Sequence, residues 1–106
     1  LALVEDTGQV LFEARSRARL GKARRAAGDL PGAEAALTAA LSPQRERGQV
    51  AEACWTLVER ARVARDRGDH EAARSNLSTA IELAAAAGFA HYVERAERVR
   101  ASIGGG

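Results

Sequence analysis

Arg15, Arg19 and Lys22 follow one another at steps of four and three residues, which puts them on one narrow stripe of a helix. Trp55, the chain's single tryptophan, stands forty residues after Arg15. A basic stripe beside an aromatic ring suits a carboxylate or an acidic peptide. Guanidinium groups donate to carboxylates in pairs, and an indole supplies a rigid apolar anchor. The plainer alternative is a solvated face in a chain whose basic positions are nearly all arginine. The other polar groupings carry less. His91 and Glu94 share a helix face, and Asp66, Asp69 and His70 gather at a junction. Either group would need metal ligands from elsewhere, and both fit solvated residues and caps. Gly21-Lys22 lacks the upstream glycine and the following Ser or Thr of a phosphate-binding loop, and reads as a packing glycine beside a surface lysine. Cys54 lies in an apolar stripe and fits a small core residue, because a redox thiol needs exposure and basic neighbours. No catalytic constellation, cofactor motif or metal-ligand spacing is visible. Binding, rather than catalysis, is the expectation.

The composition narrows the architecture that must position these residues. The chain has 106 residues, enough for one domain, with 25 alanines, 15 arginines and one lysine against 14 acidic residues. Aromatics are confined to Phe12, Trp55, Phe89 and Tyr92. Alanine favours closely packed helices, whereas strands favour β-branched and aromatic side chains. An all-β fold is excluded. A hydrophobic share of 46% with two prolines disfavours disorder. The net charge of +2 is small and Asp and Glu are interspersed throughout, so nucleic acid is a distant third among partner classes. No run approaches the ~20 apolar residues of a membrane span, and no signal peptide is visible. A cytoplasmic, soluble helical domain is expected. The start at Leu1 and the closing Gly104-Gly105-Gly106 read as junctions with something larger.

The sequence repeats itself. Gly8, Gly48 and Gly88 stand forty residues apart, as do Gln9-Val10 and Gln49-Val50, and Gly28-Asp29 and Gly68-Asp69. Residues 1–40 laid on 41–80 without a gap give ten identities, among them Ala33/Ala73, Leu37/Leu77 and Ala40/Ala80. Composition explains matched alanines. It does not explain glycines in phase. Gly28 and Gly68 close helices in the left-handed conformation, Asp29 and Asp69 cap the next ones, and Pro31 falls in a first turn.

Helices are therefore expected at about 9–27, 30–46, 49–67, 70–87 and 89–103, with Pro43 ending or kinking the second early. Val50, Ala53, Cys54, Leu57, Val58, Ala61 and Ala64 form one apolar face, with Glu52, Glu59, Arg62 and Asp66 opposite. Glu59–Arg62, Arg62–Asp66 and Glu94–Arg98 read as surface ion pairs worth about a few tenths of a kcal/mol each. A single helical hairpin cannot cover its apolar faces, so hairpins must stack into an all-α solenoid. Residues 1–8 are expected as the tail of a preceding helix, 9–48 and 49–88 as two repeats, 89–103 as a capping helix and 104–106 as a flexible tail.

These residues carry a resemblance. Leu20-Gly21, Gly28-Asp29, Ala33, Leu37 and Ala40, and then Ala61, Gly68-Asp69, Ala73, Leu77 and Ala80, resemble the tetratricopeptide repeat (TPR). The forty-residue unit resembles the longer-helix variety of bacterial signal-transduction ATPases and MalT-like transcription regulators. Arg17, Arg24 and Arg60 depart from its large apolar positions. The resemblance implies a protein-interaction or regulatory module whose first helices line a concave groove. The groove positions it implies are Arg15, Ala18, Arg19, Lys22 and Arg25, then Trp55, Val58, Glu59, Arg62 and Asp66, then Arg95. The partner implied is a protein or acidic peptide. A structural or oligomerising segment of a larger ATPase or regulator is the alternative.

The ends of the array should differ. Phe89, Tyr92, Val93, Ala96, Val99 and Ile103 gather on one face of the last helix, leaving Glu94, Glu97 and Arg98 outward, as a polar-faced cap requires. The N-terminal end has no such cap, so self-association, if it occurs, is expected through the Leu1–Leu20 surface or an exposed apolar remnant of the last helix.

Overall fold

Four glycines at twenty-residue intervals decide where this chain turns. Gly28, Gly48, Gly68 and Gly88 have φ of 85, 68, 81 and 77°. At each, the amide of the following residue donates to the carbonyl five residues back. These bonds run from Asp29 to Arg24 (2.9 Å), Gln49 to Gln44 (2.9 Å), Asp69 to Ala64 (2.9 Å) and Phe89 to Ala84 (2.8 Å). That bond with a left-handed glycine is the Schellman closure of a helix. The turn is three residues long, and the next helix begins at once.

The computed structural model describes residues 6–103, and these form five helices: α1 (Thr7–Ala26), α2 (Leu30–Glu46), α3 (Val50–Asp66), α4 (His70–Ala86) and α5 (Ala90–Ala101). No strand occurs among the described residues. The Asp29 carboxylate accepts from the Gly32 amide at 3.0 Å and the Asp69 carboxylate from the Ala72 amide at 3.0 Å, so both act as the expected caps. Each helix packs on the next, and α3 also touches α1 and α5. The result is an all-α solenoid of two hairpins, α1–α2 and α3–α4, closed by α5. Its extents of 55 × 33 × 18 Å describe a slab.

Small residues set how closely the hairpins stack. Ala14, Ala18, Ala33, Leu37, Ala40 and Val63 form one core among α1, α2 and α3. Leu57, Ala61, Ala73, Leu77, Ala80, Ala96 and Val99 belong to a second among α3, α4 and α5. The matched Leu37 and Leu77 are each fully buried, a burial worth about 1.5–3 kcal/mol per side chain. Gly21 brings α1 against α2, and a Cβ there would lie 2.6 Å from Leu37 Cγ. Ile103 is 4% exposed and Ala96 is buried, while Glu94, Glu97 and Arg98 face outward, the burial pattern expected of α5.

Three expectations are corrected. Pro43 does not end α2, which runs on to Glu46. It sits in the last turn, where its missing N–H costs one bond, and the buried neighbours Ala40, Leu41 and Gln44 hold the turn in place. Thr7 and Gly8 are no tail of a preceding helix but the first turn of α1. The Asp6 carboxylate caps that turn by accepting from the Gln9 amide at 3.2 Å. The forty-residue register therefore holds for Gly48 and Gly88 as turn glycines and fails at Gly8. Third, Glu59 is buried rather than outward, as described below. The expectations for residues 1–5 and for the glycine tail at 104–106 fall outside the described residues.

Arg24 and Arg60, where large apolar residues were expected, lie half-buried along the hairpins. The Arg24 guanidinium donates to the Gly32 carbonyl and that of Arg60 to Asn76 Oδ1, each at 3.4 Å.

Two substitutions separate backbone from packing effects. A Cβ at position 68 meets nothing within 4 Å, so Gly68→Val should cost about 1–2 kcal/mol through the left-handed backbone, and Gly68→Asn less. Gly21→Val should cost about 1–3 kcal/mol by forcing α1 off Leu37. Equal melting temperatures for Gly68→Val and Gly68→Asn would contradict the first assignment, and an unshifted Gly21→Val the second.

Candidate functional site

The first helices α1, α3 and α5 lie on one side of the slab, and oppositely charged residues tie α1 to α3. Arg15 Nη2 donates to Glu52 Oε1 at 2.6 Å, and Arg25 Nε to Asp66 Oδ2 at 2.7 Å. Both pairs are partly solvated, so each contributes about 0–1 kcal/mol, and their chief effect is alignment of the two helices. Between them Ala18 is buried, and Trp55 packs half-buried on the α1–α2 core. Lys22 Nζ stands 6.0 Å from the centroid of the indole ring, at the outer reach of a cation–π contact.

A cleft of about 460 Å³ opens here. Arg15, Arg19, Lys22, Glu52, Trp55 and Tyr92 line it, with Ala18 and Ala51. Arg19 makes no hydrogen bond or ion pair among the described residues and is exposed. Arg15, Ala18, Arg19, Lys22 and Trp55, five of the eleven positions expected in the groove, thus line one cleft. Arg62 and Arg95 do not join them. They line a separate cleft of about 570 Å³ farther along α3 and α5. The expected single groove is two sites, because Arg62 stands two turns of α3 beyond Trp55, about 10 Å away along the axis. Arg25 and Asp66, also expected there, neutralise each other.

Behind this face α3 buries Glu59, expected on its surface, together with Thr56. Glu59 has no exposed side-chain area; its Oε1 accepts from Arg62 Nη1 at 2.9 Å, and Oε2 has no partner among the described residues. The expected Glu59–Arg62 pair forms, whereas Asp66 pairs with Arg25 and Arg65 rather than Arg62. Thr56 Oγ1 donates to Gln44 Oε1 at 2.7 Å, and the Gln44 amide nitrogen is likewise unpartnered. Thr56, Glu59 and Val63 recur at i, i+3 and i+7, which is a core periodicity. Two polar residues out of three disguised it. Glu52 and Tyr92 were missed too. Opposite charges on aligned turns of α1 and α3 were the available signal for Glu52, and Tyr92 had only its place on the apolar face of the cap.

Cys54 is 1% exposed, with its thiol 3.5 Å from the Ala80 carbonyl, and burial pushes its pKa above the ordinary thiol value. Among the described residues no group of three His, Cys, Asp or Glu side chains could hold a metal ion. None of the described helices is long and apolar enough to cross a membrane.

Fold and site together define an all-α helical-repeat protein with a basic, aromatic cleft between its first helices. Neither a family model nor a curated protein nor a solved structure matches the chain.

Arg62→Ala should strip a buried carboxylate of its partner and cost about 1–3 kcal/mol, whereas Glu59→Met should be neutral or stabilising. Chemical denaturation of the two variants reads the difference, and the reverse order would contradict the burial of Glu59. The Cys54 thiol should resist alkylation in the folded protein and react on unfolding. Its raised pKa means the unfolded chain ionises first as the pH climbs past the usual thiol range, so stability should decline there, and Cys54→Ala should flatten that decline. Rapid native alkylation would place the thiol elsewhere.

Proposed function

We propose that the chain is a TPR-type interaction module that holds an acidic segment of a partner protein in the α1–α3–α5 cleft. The observation that carries this reading is Trp55: a half-buried indole beside Lys22 and an ion-pair-free Arg19, in a cleft of about 460 Å³. A carboxylate would take two-point hydrogen bonds from Arg19 while an apolar side chain of the same segment rests on the indole. The role is binding, not catalysis. The setting is cytoplasmic, within a bacterial signalling or transcription-regulating protein, and this rests on the TPR resemblance.

Because Trp55 is the single tryptophan, its fluorescence reports on the cleft directly. Titration with a short glutamate-rich peptide should shift the emission saturably. Trp55→Ala and Lys22→Glu should each weaken binding about tenfold or more, read for the first by a label on the peptide. A lysine-rich peptide binding as well as the acidic one would overturn the proposal.

A second reading, assembly through α1, is favoured by Phe12 at 70% exposed and Leu20 at 44% on the helix that has no described neighbour before it. Under it the chain sediments as a dimer or larger, and Phe12→Glu returns it to a monomer.

A further inference from the structure

The second cleft lies between α3 and α5, and every charged side chain that lines it is an arginine. Arg62, Arg65, Arg95 and Arg98 surround it, with His91 at one end and Ser102 at the other, and no carboxylate takes part. Two of the four guanidiniums are fixed in place by the fold. Arg62 is held by the buried Glu59 at 2.9 Å, and Arg65 donates to Ser102 Oγ at 3.1 Å. Arg95 and Arg98 make no hydrogen bond or ion pair among the described residues. Asp66 approaches Arg65 at 3.6 Å but is already engaged by Arg25 at 2.7 Å. Of the four guanidiniums, Arg62 therefore has the Glu59 carboxylate, Arg65 has only a shared Asp66, and Arg95 and Arg98 have none among the described residues.

Helix ends do not account for this charge. The partial negative charge at a helix C-terminus attracts cations to the last turn, which suits Arg65 and Arg98, and fades beyond it. Arg62 and Arg95 stand further back. Like charges brought together from two packed helices repel, and an anion between them removes the repulsion.

We propose that this α3–α5 cleft binds a phosphate monoester dianion. A phosphate ester brings a charge near −2 and three acceptor oxygens, which guanidiniums on both walls can engage in pairs. Arginine at all four positions fits this chemistry, because its planar fork matches phosphate where lysine offers a point charge. An extended nucleic-acid backbone fits less well. Glu94 and Glu97 stand outward on the same helix and Glu52 lies along α3, so acidic side chains interrupt any longer basic track.

The test uses the whole chain and two probes: a phosphoserine tripeptide, and glycerol phosphate as a free phosphorylated small molecule. The side-chain N–H signals of Arg95 and Arg98 should move saturably on addition of at least one probe. Arg95→Gln/Arg98→Gln, at positions outside both cores, should weaken that binding about tenfold or more, while Trp55→Ala leaves it unchanged. Tighter binding of the tripeptide identifies a phosphorylated protein segment as the source, and tighter binding of glycerol phosphate a small molecule; both uphold the site. No saturable shift up to roughly 10 mM of either probe would overturn it. So would an undiminished response in the double variant, or preference for a single-stranded oligonucleotide with a salt dependence spanning several phosphates.

Discussion

The left-handed glycine turn is the constraint on which the rest of this structure depends. A glycine at φ near +80° reverses the chain within three residues and closes the preceding helix with a bond from five residues on. Repeated at twenty-residue intervals, it makes α2, α3 and α4 the same length, 17 residues each, and gives the two hairpins one geometry. Equal hairpins stack in register. Their first helices then lie side by side on one face, where α1, α3 and α5 leave clefts between them. The turns touch neither cleft, yet they decide that the clefts exist.

Alanine and arginine divide the remaining work. Alanines at 14, 18, 33 and 40 let helices approach without large side chains between them, and Gly21 takes this to its limit against Leu37. Close approach of backbones leaves little apolar area per contact, so the array gains less from burial than a leucine-rich one of equal length. Arginine supplies reach. Arg15 and Arg25 cross from α1 to α3, Arg67 pairs with Glu34 of α2, and Arg65 crosses to Ser102. Each solvated link is weak, and together they fix the angle between helices that alanine packing leaves loosely defined.

The fold was legible because its signals are punctuation. Gly-Asp pairs, the matched Ala33 and Ala73, and the leucines at 37 and 77 are local features whose meaning does not depend on neighbours. Helix limits followed to within two residues at every described end. The candidate site was legible in part. Arg15, Arg19, Lys22 and Trp55 converge because a forty-residue repeat aligns the same turn of successive first helices. Arg62 and Arg95 fell away from them because distance along a helix axis is invisible when residues are judged by angle. Glu59 was misplaced for a related reason. A helix packed on three sides has no outward face for its polar residues, and periodicity that counts only apolar residues cannot see the third side. Pro43 shows the limit of local rules in the other direction, since buried neighbours kept helical a turn that proline opposes.

That third side of α3 also joins stability to recognition. Thr56, Glu59 and Val63 are buried on it, and two unpartnered atoms lie there, Glu59 Oε2 and, on the α2 residue that Thr56 bonds, Gln44 Nε2. The seam between the α1–α2 hairpin and α3 therefore holds the unpartnered buried side-chain groups found among the described residues, and such groups cost about 1–3 kcal/mol each. Local opening begins where the stabilising contacts are fewest, which sets the α1–α2 hairpin, with its alanine-rich core, as the first unit to loosen. Both walls of the Trp55 cleft belong to that boundary: Arg19 and Lys22 to α1, Trp55 and Glu52 to α3. Any ligand that bridges the cleft must bind the closed arrangement in preference to the opened one. Its binding free energy then adds to the cohesion of the hairpins, so that occupancy of the cleft and the integrity of the array rise and fall together.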